Sequence, residues 1–148
     1  MIFIHQYFDP FFRDHLKSDM SDEDLKFWTT SPNVFFVATL QSNGDILGCI
    51  SYRQIDSTTV EMHRAQVKPS FRGLKIGRKL VQKLIDTAKE NGYESMYLTT
   101  SSAQLSAIAM YTKMGFKFLK YVPAELPIQE LLLYVTGGLK VLAFTYKL

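Results

Sequence analysis

The sequence holds one cysteine, Cys49, and one tryptophan in 148 residues. A single thiol excludes a disulfide framework and a cysteine-rich metal site, so no metal is expected, and it fits a reducing compartment or indifference to redox. Long apolar runs are missing as well. The most apolar later stretch, residues 131–135, is broken by Thr136, Gly137 and Gly138, far short of the roughly 18 residues a membrane span needs. Residues 1–8 are apolar but lack the basic flank and small-residue cleavage site of a signal peptide. No repeat, low-complexity tract or linker is evident. The chain as given is therefore expected to be soluble and cytoplasmic. Its 47% hydrophobic and 21% charged residues exclude disorder and fibrous architectures, and its length suits one domain spanning 1–148.

Charge is unevenly spread. Residues 1–61 carry 4 bases and 9 acids, whereas residues 62–148 carry 13 bases and 5 acids. Six bases (Arg64, Lys68, Arg72, Lys75, Arg78 and Lys79) fall in a window without a single acid, which points to an anionic partner.

Periodicity outlines the elements. Phe8, Phe11, Phe12, Leu16 and Met20 recur at three- and four-residue steps, the stripe of an amphipathic helix. Ser21 followed by Asp24 marks the start of a second helix, so residues 1–30 read as N-terminal helices and 33–147 as sheet and binding core. Residues 34–40 and 46–53 are β-rich runs joined through Asn43-Gly44, a hairpin signal, and residues 58–67 read as a further strand. From Ile76 the period becomes 3.6, with Leu80, Val81, Leu84, Ile85 and Ala88 on one stripe, ending at Asn91-Gly92. A strand at 94–100 follows. Residues 101–104 give a capping-box pattern for a helix running to Met114, with Gly115 as a left-handed terminator. Residues 116–122 and 139–146 read as strands around a less regular insertion with a turn of helix at 128–135. The order implies an α/β (α+β) fold with a mixed, mostly antiparallel sheet flanked by helices.

The sharpest local feature is residues 67–77, between a strand and a helix N-terminus. Strand end, glycine-bearing turn and helix start present unpaired N–H groups and the positive end of a dipole, suited to a diphosphate. Neither nucleotide fingerprint fits: three residues, not four, separate Gly73 from Gly77, Arg78-Lys79 follows, and no G-x-G-x-x-G occurs. On spacing alone the glycines could equally shape a tight turn with the bases on a solvated face.

Arg72-Gly73-Leu74-Lys75-Ile76-Gly77 resembles the Gln/Arg-x-x-Gly-x-Gly/Ala motif of the GCN5-related N-acetyltransferases (GNAT), and the run from Gln104 through Ala107 and Met110-Tyr111 to Gly115-Phe116 is similar to that family's Asn-x-x-Ala-x-x-Leu-Tyr-x-x-x-Gly-Phe signature. Residues 63–81, 99–116 and 144–148 look most like its Camello-like branch. The resemblance implies a GNAT fold with acetyl-CoA bound as co-substrate at the strand–loop–helix. It implies cofactor contacts from Ala65, Gln66, Val67, Arg72, Gly73, Leu74, Lys75, Ile76, Gly77, Arg78 and Gln104. Lys75 departs from the family glycine, and a lysine there fits a backbone of negative φ, where only the N–H is needed. For Gln104 a helix-capping role is an equal alternative.

The same resemblance implies acetyl transfer to a small primary amine such as an amino acid or cysteine conjugate, with Tyr111 as general acid and Glu61 as general base. By strand alternation Glu61 shares a face with His63 and Ala65. Glu61 must act through water or be raised by burial, its plain alternative is an ion pair, and His63 is a residue type that can share the role. Protein lysine acetylation, a catalytically silent coenzyme-binding module and, more weakly, a nucleic-acid-binding domain are the other readings; Phe71 is the lone aromatic in the basic window, so nucleic acid is not the expected partner. Cys49 reads as core packing. Residues 131–135 could be core, a homodimer contact or a membrane-facing surface, and Camello-like proteins usually carry a membrane-embedded segment ahead of this domain, so membrane association would follow from such an upstream anchor.

Overall fold

The computed structural model describes residues 2–6, 21–122 and 140–148. They build one seven-stranded sheet in the order β1-β2-β3-β4-β5-β7-β6: β1 Ile2–Gln6, β2 Val34–Leu40, β3 Ile46–Gln54, β4 Thr59–Val67, β5 Ser95–Ser101, β6 Lys117–Val122 and β7 Val141–Lys147. Three helices accompany it, α1 Asp22–Thr29, α2 Ile76–Glu90 and α3 Leu105–Met114. Only the β4–β5 neighbours run parallel; the other five pairs are antiparallel. The mixed, mostly antiparallel sheet expected from element order is thus present.

Local chemistry explains most boundaries. Ser21 accepts from the Asp24 amide at 3.1 Å while the Asp24 carboxylate reaches back to the Ser21 amide, closing a capping box on α1. The β2–β3 hairpin turns at Gly44, φ +75°, with Asn43 bonded to Asp45. Gly115, φ +103°, ends α3 as expected. Two expectations fail. Residues 2–6 form an edge strand paired to β2, not a helix, because their alternation finds a sheet edge to join; the stripe at 8–20 and the turn of helix at 128–135 lie outside the described residues. The capping box at 101–104 does not form either: α3 begins at Leu105 with Gln104 as an N-cap that makes no side-chain cap bond, and the Ser101 hydroxyl instead accepts from the Ala103 amide.

Helix α2 buries Ile76, Leu80, Val81, Leu84, Ile85 and Ala88 against one sheet face, sharing a core with Phe36, Ile50, Tyr52, Val60 and Met62. Tyr111 and Phe116 join the same core. Asn91, at the end of α2, donates to the Tyr52 hydroxyl at 2.7 Å and ties the helix to β3. On the opposite face α1 sets Leu25 and Trp28 against Phe35, Val37 and Cys49, so the thiol is indeed core.

The sheet is deliberately incomplete at its centre. Strands β4 and β5 pair only through Thr59↔Ser95, Val60↔Met96 and Glu61↔Tyr97, then part. Just beyond, Ser51 faces His63 while Cys49 faces Gln66, so Ile50 opposes both Arg64 and Ala65: a β-bulge, with Arg64 at φ +54°. The extra residue inverts the alternation. Val60 and Met62 lie in the α2 core, and so does Val67, an odd-numbered residue on an even-numbered face. The expected grouping of Ala65 with Glu61 and His63 by simple alternation therefore does not hold.

Gly48 makes the narrow junction of β3 with bulged β4. A Cβ there would lie 2.5 Å from the Gln66 carbonyl oxygen and 3.3 Å from Leu80. Replacing Gly48 by Ala is expected to push β4 outward and destabilise the protein by about 1–3 kcal/mol, read as a lower urea midpoint at unchanged slope.

Candidate active site

Where β4 and β5 part, the backbone edge of β4 from Met62 onward has no strand to pair with. Two clefts open there. One, of about 430 Å³, is lined by residues of β4 (Met62 to Gln66), the end of β5, Gln104, Tyr111 and Val141. The other, of about 960 Å³, runs from Gly48 and Cys49 past Ala65, Gln66, Val67, Lys68 and Arg72 to the first residues of α3. Ala65, Gln66 and Gln104 line both, so the clefts meet across these three side chains.

The larger cleft ends at the turn between β4 and α2. Pro69–Phe71 form a single 3₁₀ turn, and then Gly73 and Lys75 adopt φ +83° and +61°. Ile76, 1% exposed, anchors the helix in the core. The first amide of this stretch returned to the backbone is Lys79's, which donates to the Lys75 carbonyl. Among the described residues, the amides of residues 73–78 donate to nothing. Six successive free N–H groups at the positive end of a 15-residue helix form an anion cradle. Arg72, Lys75 and Arg78 stand exposed around it. The arrangement fits a diphosphate, and Gly77 has room for more: a Cβ there would meet Met110 and Val67 no closer than 3.7 Å, consistent with a motif position that takes Gly or Ala.

Lys75 corrects an expectation. Its φ is positive, the conformation that glycine adopts without strain and that costs an L-residue about 1–2 kcal/mol. The chain tolerates a lysine where the geometry asks for a glycine.

In the smaller cleft Tyr111 is buried, 6% exposed, and packed on Phe116. Burial pushes its phenol above the ordinary tyrosine value, so it stays protonated. Glu61 is also buried, but it does not line the cleft. Arg53 holds Oε2 through Nε and Nη2 at 2.9 and 2.8 Å, and His63 Nε2 lies 3.0 Å from Oε1, close enough for an ion pair although off the line of a good hydrogen bond. Burial drives the Glu61 carboxyl upward, but the His63 and Arg53 contacts and charges outweigh it and hold the group below its ordinary range. The ion-pair reading thus describes Glu61, whereas His63, stacked at 4.9 Å on Trp28, is the member of the pair that reaches the cleft. Gln104 accepts a bond from the Thr100 hydroxyl at 3.3 Å, lines both clefts and makes no side-chain cap bond.

Two site residues escape a reading of the sequence. Gly48 carries a signal, a glycine inside a strand. Arg64 carries none: grouped by sequence with the other five bases of its window, it lies in the smaller cleft, with its guanidinium 5.8 Å from the Trp28 ring. Among the described residues no cluster of metal-ligating side chains occurs and no helix is long and apolar enough to cross a membrane.

A parted sheet with an amide-rich turn at one end of its cleft and a buried phenol at the other is an arrangement that fits a phosphate-bearing coenzyme. The model of the Acetyltransferase (GNAT) family matches residues 1–116, and the chain belongs to that family. Among curated relatives, human N-acetyltransferase 8B is 32% identical over 107 residues, covering 69% of this chain and 46% of that protein. The zebrafish (Danio rerio) N-acetylaspartate synthetase is 31% identical over 103 residues, covering 69% and 36%. The probable N-acetyltransferase camello of Xenopus tropicalis is 30% identical over 104 residues, covering 69% and 47%, which bears out the Camello-like resemblance. The chain thus spans between 36% and 47% of the length of these relatives. A GNAT acetyltransferase of Elizabethkingia anophelis, solved with acetyl-CoA bound, superposes with a TM-score of 0.73 at 24% identity over 99% of this chain and 98% of that one, and establishes the fold.

Two predictions follow from the geometry. Lys75→Gly should relieve the strained φ, return part of the gain to the more flexible unfolded chain, and raise stability by about 0.5–1 kcal/mol in urea unfolding. For Glu61 the depressed carboxyl contributes stability that is full above the ordinary glutamate value and is lost as pH falls through the folded one. Wild-type stability should decline below about pH 4, and Glu61→Gln, weaker at neutral pH, should show a shallower acid limb when urea midpoints are compared across that range.

Proposed function

We propose that this domain is an acetyl-CoA-dependent N-acetyltransferase that moves an acetyl group to a primary amine of a small molecule by direct transfer within a ternary complex. The observation that carries the reading is the continuity of the site: free amides at residues 73–78, a released β4 edge at Ala65, Gln66 and Val67, and a buried, protonated Tyr111 at the cleft's other end.

When bound, acetyl-CoA supplies the thioester carbonyl that an amine attacks and the thiol that departs. The amides of residues 73–78, with Arg72, Lys75 and Arg78 around them, hold the diphosphate. Unpaired backbone groups along residues 65–67 align the pantetheine arm and polarise the carbonyl, an effect worth roughly 3 kcal/mol for one well-placed donor. Gln104 closes that channel from α3. His63, backed by the Glu61 carboxylate, takes the proton that the amine loses as its nitrogen bonds to the acetyl carbon; a carboxylate behind an imidazole orients it and steadies its charged form. Tyr111 gives its proton to the sulfur as the carbon–sulfur bond breaks, and solvent returns one to the phenolate.

A second reading, a coenzyme-binding module without turnover, draws on Glu61 being fully engaged by Arg53 and His63. Release of CoA thiol with a panel of small amines separates the two. Tyr111→Phe should lower kcat by about 10²- to 10³-fold while the KM for acetyl-CoA stays within about threefold; an equal loss in both, or none in either, defeats the assignment of Tyr111.

A further inference from the structure

The smaller cleft has a charge character that acetyl transfer itself does not explain. Its titratable lining consists of His63, Arg64 and Tyr111, and among the described residues it contains no carboxylate. The nearby acid, Glu61, is claimed on one oxygen by Arg53 and on the other by His63. Arg64 is different from the other five bases of its window. The bulge gives it φ +54°, a conformation bulky residues avoid, and turns it to the same side as its neighbour His63, both lying against Trp28. Bulges beside active sites commonly re-aim a side chain in this way.

None of the Arg64 side-chain donors bonds to a described residue, and its Nε is shut off from water without a partner. Buried unbonded donors are rare in native proteins. The contact with Trp28, at 5.8 Å from the ring centroid, draws on the charge of the guanidinium and leaves its N–H fork unused. A planar fork with free donors matches a carboxylate bidentately.

We infer that Arg64 binds a carboxylate of the acceptor, which makes the acceptors amino acids or similarly anionic amines rather than polyamines or amines without an acid group. The inference rests on the acetyltransferase reading for the identity of the acceptor, but the anion site can be tested without turnover.

The experiment compares L-amino acids with their own α-carboxamides. In wild type the carboxylate form should be favoured at least about tenfold in kcat/KM, in line with a charge-assisted pair. Arg64→Gln should bring that ratio to about one, leave the amide's rate within about threefold, and leave the KM for acetyl-CoA unchanged. In parallel, N-acetyl-amino acids and their amides are titrated by calorimetry into protein saturated with CoA, where the same preference and its loss should appear. Wild type that treats acid and amide alike overturns the inference. So does a variant that loses both equally, which would reduce Arg64 to a support for Trp28. Should Arg64→Gln fail to fold, Arg64→Lys decides: a several-fold cut in the preference supports the bidentate contact, and an unchanged preference opposes it. If no amine turns over yet the N-acetyl-amino acid binds in an Arg64-dependent way, the enzymatic reading falls and the anion site stands.

Discussion

The separation of two parallel neighbours governs this molecule. β4 and β5 share three residue pairs and then diverge, and each functional element is a consequence of that break. Continued pairing would have covered the β4 edge with β5, closed the cleft that Tyr111 and Gln66 both line, and left the turn at residues 68–75 at the end of an ordinary sheet. The break has a definable cause. One extra residue opposite Ile50 bends β4, and increased local twist at a bulge turns the strand away from its neighbour. The open edge is acceptable because it faces a cleft that a ligand with hydrogen-bonding groups can fill, where a bare edge on a surface would invite another chain.

The two ends of the cleft are electrically distinct in kind as well as position. At the α2 end the positive potential is made of backbone amides and a helix dipole, which no substitution of a side chain removes, and exposed bases add to it. At the other end, in the smaller cleft, it comes from the side chain of Arg64 beside His63. The first arrangement suits a polyanion that is the same in every turnover. The second suits discrimination, because a single guanidinium fork reads the shape of one partner.

How much of this a reader of the sequence could see depends on whether the information is local. The α2 stripe from Ile76 to Ala88, the hairpin at Asn43-Gly44, the Ser21 box and the Gly115 terminator are set by neighbours within a few residues, and all lie where expected. Tyr111 and Gln104 were legible only because their helix carries a recognisable run. The bulge was not, since no residue type announces it and its position depends on which residue of β3 lies opposite. That one unseen residue left Arg64 grouped with the other bases of its window and put Ala65 on the wrong face. Lys75 misled in the opposite direction: a lysine argues for negative φ, and the turn between Gly73 and Ile76 overrules that local preference by demanding a left-handed residue. The edge strand at residues 2–6 is short, and its partner, β2, lies some thirty residues downstream.

The position of β7 gives the sheet a direction in time. It is the last described strand in chain order, yet it sits between β5 and β6 and pairs with both. As the chain leaves a ribosome, β1 to β4 and α2 have their partners before β5 is made, and with them comes the anion cradle. β5 and β6 gain their common partner only when residues 141–147 emerge, so the wall that carries Phe116 and steadies Tyr111 is the late part of folding. The cradle end is thereby complete early and the Tyr111 end late, so damage to the C-terminal strand falls first on the support of Tyr111 and leaves the turn at residues 73–78 standing.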